Sequence, residues 1–354
     1  MTKSLAYVLI VWFLITVSGF AQPFAYITNQ AGHTVSVIDT STNTVVDTVN
    51  VGDEPFGVAV SPDGNFVYVV NLGAEEIAVI YALTNTVVAT VGVGLQPAGV
   101  GVTPDGAFLY VTNFTSDTVT VIATSTFTVV ATVMGFSGPE GVEATPDGNF
   151  VYVANFSSDD VSVIDTATNT IVDTVGVGTG PRGVAITPDG AFVYVSNFSS
   201  NDLSVIDTST NMVVATVGVG VQPVGVAVTP DGNFAYVANN STNNVSVIDT
   251  STNIVVQTIA VGTFPLGIAV TRDGAFVYVA NAFSDDVSVI DTSTNTVVDT
   301  VGVGDGPVAF GKFIGPPLPR VSSIPTLSKW ALIAAACILG LTGFLVIRRK
   351  KAAA

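Results

Sequence analysis

The stretch Phe192-Val193-Tyr194-Val195-Ser196-Asn197 contains a Tyr-x-x-Asn tetrapeptide that decides the fold, because it recurs at one fixed interval. Successive copies lie 42 residues apart, and they begin at Tyr26, Tyr68, Tyr110, Tyr152, Tyr194, Tyr236 and Tyr278. A fixed period of this length is typical of propeller blades and solenoid turns, in which each small unit buries its faces against copies of itself.

One repeat, residues 181–222, shows the order of elements within a copy. Residues 183–186 are apolar and end at a Thr-Pro-Asp-Gly turn, and three further apolar runs follow at residues 192–197, 203–207 and 212–217. The runs predict four short strands, here named a, b, c and d, separated by turns. Runs such as Val-Val-Ala-Thr-Val alternate poorly between apolar and polar residues, so we expect strands covered on both faces.

The two ends of the array predict a closed ring. No strand a precedes the first Tyr-x-x-Asn, whereas residues 308–314, after Pro307, supply a surplus strand a. If that strand completes the N-terminal blade, the chain is an all-β, seven-bladed β-propeller with four-stranded blades. An open β-solenoid is the alternative, and it would leave the surplus strand without a partner.

The repeats resemble the YVTN β-propeller family over residues 24–314. The resemblance rests on Tyr110-Val111-Thr112-Asn113, on the Val-Tyr-Val-Ala-Asn copies and on the Thr-Pro-Asp-Gly turns. It implies a propeller but does not specify a function. Similar repeats occur in cell-surface proteins, while related propellers serve as lactonases, lyases and electron-transfer subunits, and a fold does not choose among these.

The composition of the two ends predicts export and a membrane anchor. Lys3, the apolar residues 5–17 and the small residues before Gln22 predict a signal peptide at residues 1–21, with an uncleaved anchor as the alternative. The propeller is assigned to residues 22–315 and a Pro/Ser-rich linker to 316–329. Residues 330–347 predict a transmembrane helix, and residues 348–354, which begin with Arg348-Arg349-Lys350-Lys351, predict a basic cytoplasmic tail.

A short motif before the apolar tail resembles the IPTL-type C-terminal sorting signal of Gram-negative bacteria. It comprises Ile324, Pro325, Thr326, Leu327 and Trp330, although Ala331 stands where glycine is usual. The resemblance implies an envelope sorting or processing enzyme as a partner, and a plain membrane anchor is the alternative. Both interpretations place the propeller beyond the inner membrane, anchored in the envelope or at the cell surface.

The charge balance argues against one class of partner. All 27 acidic residues but only four of the ten Lys and Arg lie between Gln22 and Ser323, which gives this part a net charge near −23. Such a surface repels polyanions, so we expect no nucleic-acid binding. The single cysteine, Cys337, lies in the apolar tail, so the ring must be stabilised by burial without an internal disulfide.

Few residues suggest catalysis, a cofactor or a metal. His33 is the only histidine and has no counterpart in the other repeats, and no haem motif or phosphate loop is present. Oxygen ligands for calcium occur at Glu75-Glu76, Asp159-Asp160 and Asp285-Asp286, but their spacing is not that of a dedicated calcium loop. We therefore expect solvated loops, no metal site and no cofactor. We interpret Asp39, Asp165, Asp207, Asp249 and Asp291 as turn residues.

Positions at which the copies differ identify candidate ligand contacts. The residues after the register prolines are expected to ring one mouth of the channel, and they are Phe56, Ala98, Glu140, Arg182, Val224, Leu266 and Val308. Glu140 and Arg182 are neighbours in this ring and could form an ion pair. Three residues further on, Glu143 interrupts a ring of Ala and Gly residues. These three charged residues are the candidate ligand-binding residues.

The sequence favours a surface-displayed or envelope-anchored binding or structural scaffold without catalysis of its own. Its ligand would be an unknown protein or glycan on the propeller face, where loops vary between copies and Phe114, Phe156, Phe198 and Phe283 add aromatic area. These rings could equally pack between blades. The alternative function is a periplasmic lactonase-like or streptogramin-lyase-like enzyme with its site at the channel mouth. An electron-transfer subunit would need a cofactor that nothing in the sequence specifies.

Overall fold

The computed structural model describes residues 23–317, and these form a seven-bladed β-propeller. Within them no helix has the length and hydropathy needed to cross a bilayer. The predicted signal peptide, sorting motif, transmembrane helix and basic tail lie outside the described residues. The described region contains 27 strands, in antiparallel sheets that follow the predicted order a, b, c, d.

The strands fall into the four predicted classes. The inner strands a are Pro55–Val60 (β4), Pro97–Val102 (β8), Pro139–Ala144 (β12), Pro181–Ile186 (β16), Pro223–Val228 (β20) and Pro265–Val270 (β24). The strands b are Phe24–Asn29 (β1), Phe66–Asn71 (β5), Phe108–Asn113 (β9), Phe150–Asn155 (β13), Phe192–Asn197 (β17), Phe234–Asn239 (β21) and Phe276–Asn281 (β25).

The strands c are Thr34–Asp39 (β2), Glu76–Tyr81 (β6), Thr118–Ala123 (β10), Asp160–Asp165 (β14), Asp202–Asp207 (β18), Asn244–Asp249 (β22) and Asp286–Asp291 (β26). The outer strands d are Thr44–Asn50 (β3), Thr86–Gly92 (β7), Thr128–Met134 (β11), Thr170–Gly176 (β15), Met212–Gly218 (β19), Ile254–Ala260 (β23) and Thr296–Gly302 (β27). Blade 1 contains β1–β3, and blades 2–7 each take the next four strands.

Residues 307–315, here called the closing segment, complete blade 1. The segment bridges β1 antiparallel at Asn29↔Pro307 and at Ala25↔Ile314. Between these points it leans toward blade 2, where the Val58 amide donates to the Phe310 carbonyl at 3.0 Å. The predicted ring closure is therefore confirmed, although the seventh inner element is an irregular segment and not a full strand.

A glycine occupies the β-bulge that each of the other six inner strands carries after its register proline. At Gly141 an added Cβ would lie 2.0 Å from the Arg182 carbonyl oxygen of the next blade, and the equivalent glycines of the other regular strands are equally close to their neighbours. The closing segment has Ala309 at this position, with a left-handed φ of 48°. An alanine cannot take the close approach that glycine allows, so the chain leaves the register there.

The tyrosine of the repeated motif links neighbouring blades. In blades 3–6 the tyrosine hydroxyl donates to an asparagine Oδ1 in the c–d turn of the next blade at 2.6–3.0 Å, and the pairs are Tyr110–Asn169, Tyr152–Asn211, Tyr194–Asn253 and Tyr236–Asn295. Burial raises the pKa of these four tyrosines to about 12, which keeps the hydroxyls protonated as donors. The motif that decides the fold is therefore structural.

Burial differs between the strands, and this corrects one expectation. Strands b and c are almost wholly buried between neighbouring blades. The Val-Val-Ala-Thr-Val runs, expected to be covered on both faces, belong to the outer strands d. There Val88 and Val130 are 50% and 51% exposed, and only the last valine of each run is buried. Each outer strand also carries a β-bulge, which protects an exposed edge against pairing with other chains.

The two faces of the ring are built from different connections. The b–c and d–a loops lie on one side, here called the loop face, and the a–b and c–d turns lie on the other, the turn face. The register of blade 1 shows this division, since Asn29 pairs with Thr34 at one end and Phe24 pairs with Asp39 at the other. Residues 23 and 317, the ends of the described region, both lie at the turn face, where Gly315 donates to the Phe24 carbonyl.

Candidate functional site

The channel of the propeller encloses a cavity of about 480 Å³. Its walls are the inner strands and the closing segment, so they consist mainly of small apolar side chains and backbone. The cavity reaches the a–b turns on the turn face, where its lining includes Pro62, Pro104, Pro146, Pro188, Pro230 and Pro316. The residues that directly follow the register prolines do not line it.

Glu143 of β12 is a buried carboxylate in this cavity, and it forms an ion pair with Lys312 of the closing segment. Burial raises the pKa of Glu143 above its ordinary value, and the nearby Lys312 ammonium opposes that rise. A partly desolvated carboxylate of raised pKa in a small cavity is a common arrangement for a general base. Glu143 is thus the predicted site residue that the structure places in the channel.

Lys312 is a candidate site residue that the sequence alone did not indicate. It occupies a register position at which the six regular copies have Val60, Val102, Ala144, Ile186, Val228 and Val270. The kink at Ala309 and Gly311, whose φ is 126°, turns the closing segment so that Lys312 reaches Glu143. The available sequence signal was a lysine at a position where the other copies have apolar residues. The direction of its side chain, however, depends on the kink in the closing segment.

Arg272 is a third charged residue on the cavity wall. It replaces the proline of the Thr-Pro-Asp-Gly turn in blade 7, so it lies at the turn-face end of the cavity. Among residues 23–317 no carboxylate lies within ion-pair distance of it. The cavity therefore combines one carboxylate, one paired cation and one cation available to a ligand.

Glu140 and Arg182 form the ion pair that the ring of copies suggested, with 3.2 Å between Arg182 Nε and Glu140 Oε2. The Arg182 guanidinium also lies over the rings of Phe156 and Phe198, at 5.2 and 4.4 Å from their centroids. Burial raises the pKa of Glu140 to about 7, against the lowering effect of Arg182. The pair lies at the loop-face end of the channel, outside the cavity lining.

The loop-face end of the channel is closed by apolar side chains, which corrects the expectation of a mouth there. Val224, Val308 and Phe310 are buried in one cluster, and Phe56, Leu266 and Phe198 pack against it. The side chains after the register prolines thus meet near the axis instead of leaving an opening. Glu140 and Arg182 belong to this closed end, and the structure separates them from Glu143.

The remaining polar candidates have ordinary structural roles. His33 Nδ1 lies 3.1 Å from Asp53 in an exposed loop. Asp159 and Asp285 each accept a hydrogen bond from a d–a loop amide, and Asp39 accepts from Ser41, as expected of a turn residue. Within residues 23–317 no three His, Cys, Asp or Glu side chains come close enough to hold a metal ion.

The charges of the described region are unevenly distributed. It contains all 27 acidic residues but only three Lys or Arg, a difference of −24. All three cations, Arg182, Arg272 and Lys312, lie along the channel, either in the cavity lining or at its closed end. An anionic or electron-rich group is therefore attracted into the channel rather than to the outer surface.

One family of seven-bladed propellers matches this chain. The family model described as lactonase, seven-bladed β-propeller, matches residues 21–132, 123–217 and 210–301. These matches together cover most of the chain. No curated protein matches the sequence.

Solved structures share the fold at low sequence identity. Hydrazine synthase from Kuenenia stuttgartiensis is 24% identical with a TM-score of 0.71, and the match covers 81% of this chain and 99% of that one. A functionally unknown protein from Desulfotomaculum acetoxidans is 19% identical, with a TM-score of 0.72 and the same coverages. A candidate 6-phosphogluconolactonase from Bacteroides uniformis is 17% identical, with a TM-score of 0.70 and coverages of 82% and 98%. Likeness at these identities shows the fold alone.

Proposed function

Because the chain belongs to the family of lactonase-type seven-bladed β-propellers, we propose that it is a hydrolase that opens a small cyclic ester in its channel. The observation that carries the proposal is the buried Glu143 carboxylate, paired with Lys312 on the wall of the cavity. Family membership favours this function, the alternative from the sequence, over the non-catalytic scaffold that the sequence favoured first.

The chemistry assigns one role to each charged residue. The Glu143 carboxylate removes a proton from a water molecule, and the water oxygen attacks the ester carbonyl carbon. Lys312 keeps Glu143 ionised, and Arg272 attracts the negative charge that develops on the carbonyl oxygen. The ring C–O bond then breaks, and the leaving oxygen takes the proton from Glu143. The product is a hydroxy acid.

The cavity fits a small substrate. Its volume of about 480 Å³ lies within the range of small-molecule sites, and its apolar walls carry few charged groups, as such sites usually do. The closed loop-face end leaves the turn face as the direction of entry. A polymeric substrate would have to pass the apolar cluster around Phe310, so we expect a small molecule instead.

A screen with small γ- and δ-lactones, following acid release, tests the proposal. We expect the Glu143→Gln variant to lower kcat/KM by about 100-fold or more, because it keeps the shape and removes the base. Glu140→Gln is the matched control, since Glu140 is also buried and ion-paired in β12 but lies outside the cavity. Retained activity in Glu143→Gln, or equal loss in both variants, would refute the assigned site.

The second candidate remains a binding or structural scaffold in the envelope or at the cell surface. The observation that favours it is that the seven copies agree in their framework and differ in the loop-face connections. Failure of the wild-type protein to hydrolyse any lactone or ester in the screen would favour this second function. The signal peptide, the membrane anchor and the sorting motif remain predictions from the sequence, and mass spectrometry of both mature ends would test them.

A further inference from the structure

The loop face carries apolar side chains that its own packing does not cover. Phe283, in the b–c loop of blade 7, is 70% exposed, and its ring stacks on Phe264 with centroids 4.2 Å apart and 11° between the planes. Leu95 and Val221 each lie in a d–a loop of another blade, and they are 47% and 44% exposed. Leu266 follows Phe264 by two residues and joins the apolar cluster that closes the channel.

Phe264 is an unusual residue type for its backbone conformation. Phe264 has φ +63°, and the same left-handed position holds Glu54, Gln96, Gly138, Gly180, Gln222 and Gly306 in the other copies. A bulky aromatic residue is disfavoured in this region of φ. The fold gains little burial from the choice, since it leaves Phe283 exposed. Recognition by a partner would explain why an aromatic residue stands here.

Exposed acidic side chains lie in other loops of the same face. Asp305 follows blade 7, Glu54 lies between blades 1 and 2, and Glu75 lies in the b–c loop of blade 2. No hydrogen bond or ion pair engages these three carboxylates within residues 23–317. Arg182 is the only Lys or Arg on the loop face among the described residues, and Glu140 already pairs with it. The face therefore combines exposed apolar side chains with carboxylates that no cation of the described residues neutralises.

From this arrangement we propose that the loop face docks a cationic peptide segment in which aromatic or aliphatic residues alternate with Lys or Arg. The apolar side chains pack on Phe283 and Phe264, and the cations pair with Glu54, Glu75 and Asp305. Both ends of the described region leave from the turn face, so the connecting chain does not begin on this surface. The docking site is separate from the cavity and does not depend on the proposed hydrolase function.

Fluorescence anisotropy with a short labelled peptide of alternating Lys/Arg and Leu/Phe, titrated with the full-length protein, tests the proposal. We expect Phe283→Ser to weaken the Kd about tenfold and Asp305→Asn about twofold, with a smaller salt dependence in the latter. Two controls carry matched changes on outer strands away from the loop face, Met212→Ser and Asp299→Asn. Met212 is 66% exposed and lies at the turn-face end of β19, and both controls are expected to bind like the wild type.

Further peptides and a sugar separate the alternatives. A peptide with serine at every apolar position should bind much more weakly, and a peptide with Glu in place of Lys and Arg should not bind. Equal binding of the serine peptide would mean attraction by net charge alone and would overturn the proposal. An equal loss in Met212→Ser and Phe283→Ser would also overturn it. So would Phe283-dependent binding of a neutral oligosaccharide without peptide binding, since the face would then recognise glycans.

Discussion

Glu140 and Glu143 lie three residues apart in the same inner strand, yet their surroundings and partners differ. Glu140 lies at the closed end of the channel and pairs with Arg182, which occupies the same register position in the next blade. Glu143 lines the cavity and pairs with Lys312, which comes from the irregular closing segment. The first pair arises from the repetition of the blades, and the second arises where the repetition breaks down.

The difference shows where a repeat protein can place a reactive group. Seven identical copies would fill the channel with identical rings of small residues, and a single functional residue requires a departure from the repeat. The closing segment departs most, because Ala309 does not fit the position of the inner glycines. The irregular closing segment therefore provides the lysine that pairs with Glu143.

The largest expected effect concerns the closed end and its pH dependence. The pKa of Glu140 is raised from 4.5 to about 7, so between these values the folded protein retains a proton that the unfolded chain has released. Wild-type stability must therefore fall as the pH rises through that window, by on the order of 3 kcal/mol. Glu140→Gln removes this titration, so its stability relative to the wild type should increase over the same window.

Urea unfolding of both proteins at several pH values measures this difference. Glu54→Gln, which changes an exposed loop carboxylate, serves as the control for the loss of one negative charge. A stability difference between Glu140→Gln and the wild type that stays constant from pH 4.5 to 7 would show that Glu140 is ionised as readily in the fold as in the unfolded chain.

A smaller effect is expected from Gly141, the glycine in the β-bulge of β12. Gly141→Ala would place a Cβ 2.0 Å from the Arg182 carbonyl oxygen, so β12 must shift, at a cost of about 2 kcal/mol. Gly176→Ala is the matched control, because a Cβ at Gly176 meets nothing within 4 Å, and it should be neutral or slightly stabilising. Thermal unfolding compares the two variants. Equal melting temperatures would contradict the account of Ala309 and the closing segment.

Repetition explains how much of this could be predicted from the sequence. The seven copies of Tyr-x-x-Asn and the surplus strand after Pro307 were sufficient for the blade count, the strand order and the ring closure. The Glu140–Arg182 pair was equally accessible, since neighbouring blades place equal register positions side by side. These inferences succeed because each depends on a relation that the chain repeats.

Other features depend on conformations that occur only once or on packing in three dimensions. The pairing of Lys312 with Glu143 depends on two backbone kinks in the closing segment, and no repeated position of the chain indicates them. The closed loop-face end depends on Phe310, which packs with Val308 of the same segment and with Val224 of another blade. The exposure of the outer strands was also missed, because a valine-rich edge strand and a buried strand have similar composition.

The smallest of these effects comes from removing the cation that pairs with each carboxylate. It is also the sharpest test of the difference between Glu140 and Glu143. Lys312→Met removes the charge that opposes the raised pKa of Glu143, so the acid limb of the pH–rate profile should move to higher pH. At neutral pH we expect kcat/KM to fall about tenfold, with partial recovery in alkaline solution as Glu143 ionises. Lys312→Arg keeps the charge and should retain the wild-type profile. Steady-state hydrolysis of the best lactone from the screen, across pH, provides the measurement.

Arg182→Met is the counterpart at the closed end, and it should leave the pH–rate profile unchanged because Glu140 does not line the cavity. A shift in both variants would mean that the two carboxylates communicate and that the separation along β12 has no functional meaning. A loss in Lys312→Met that is the same at every pH would instead place Lys312 on the substrate, as a cation that stabilises the carbonyl oxygen directly. The pH dependence therefore distinguishes a lysine that acts through Glu143 from one that acts beside it.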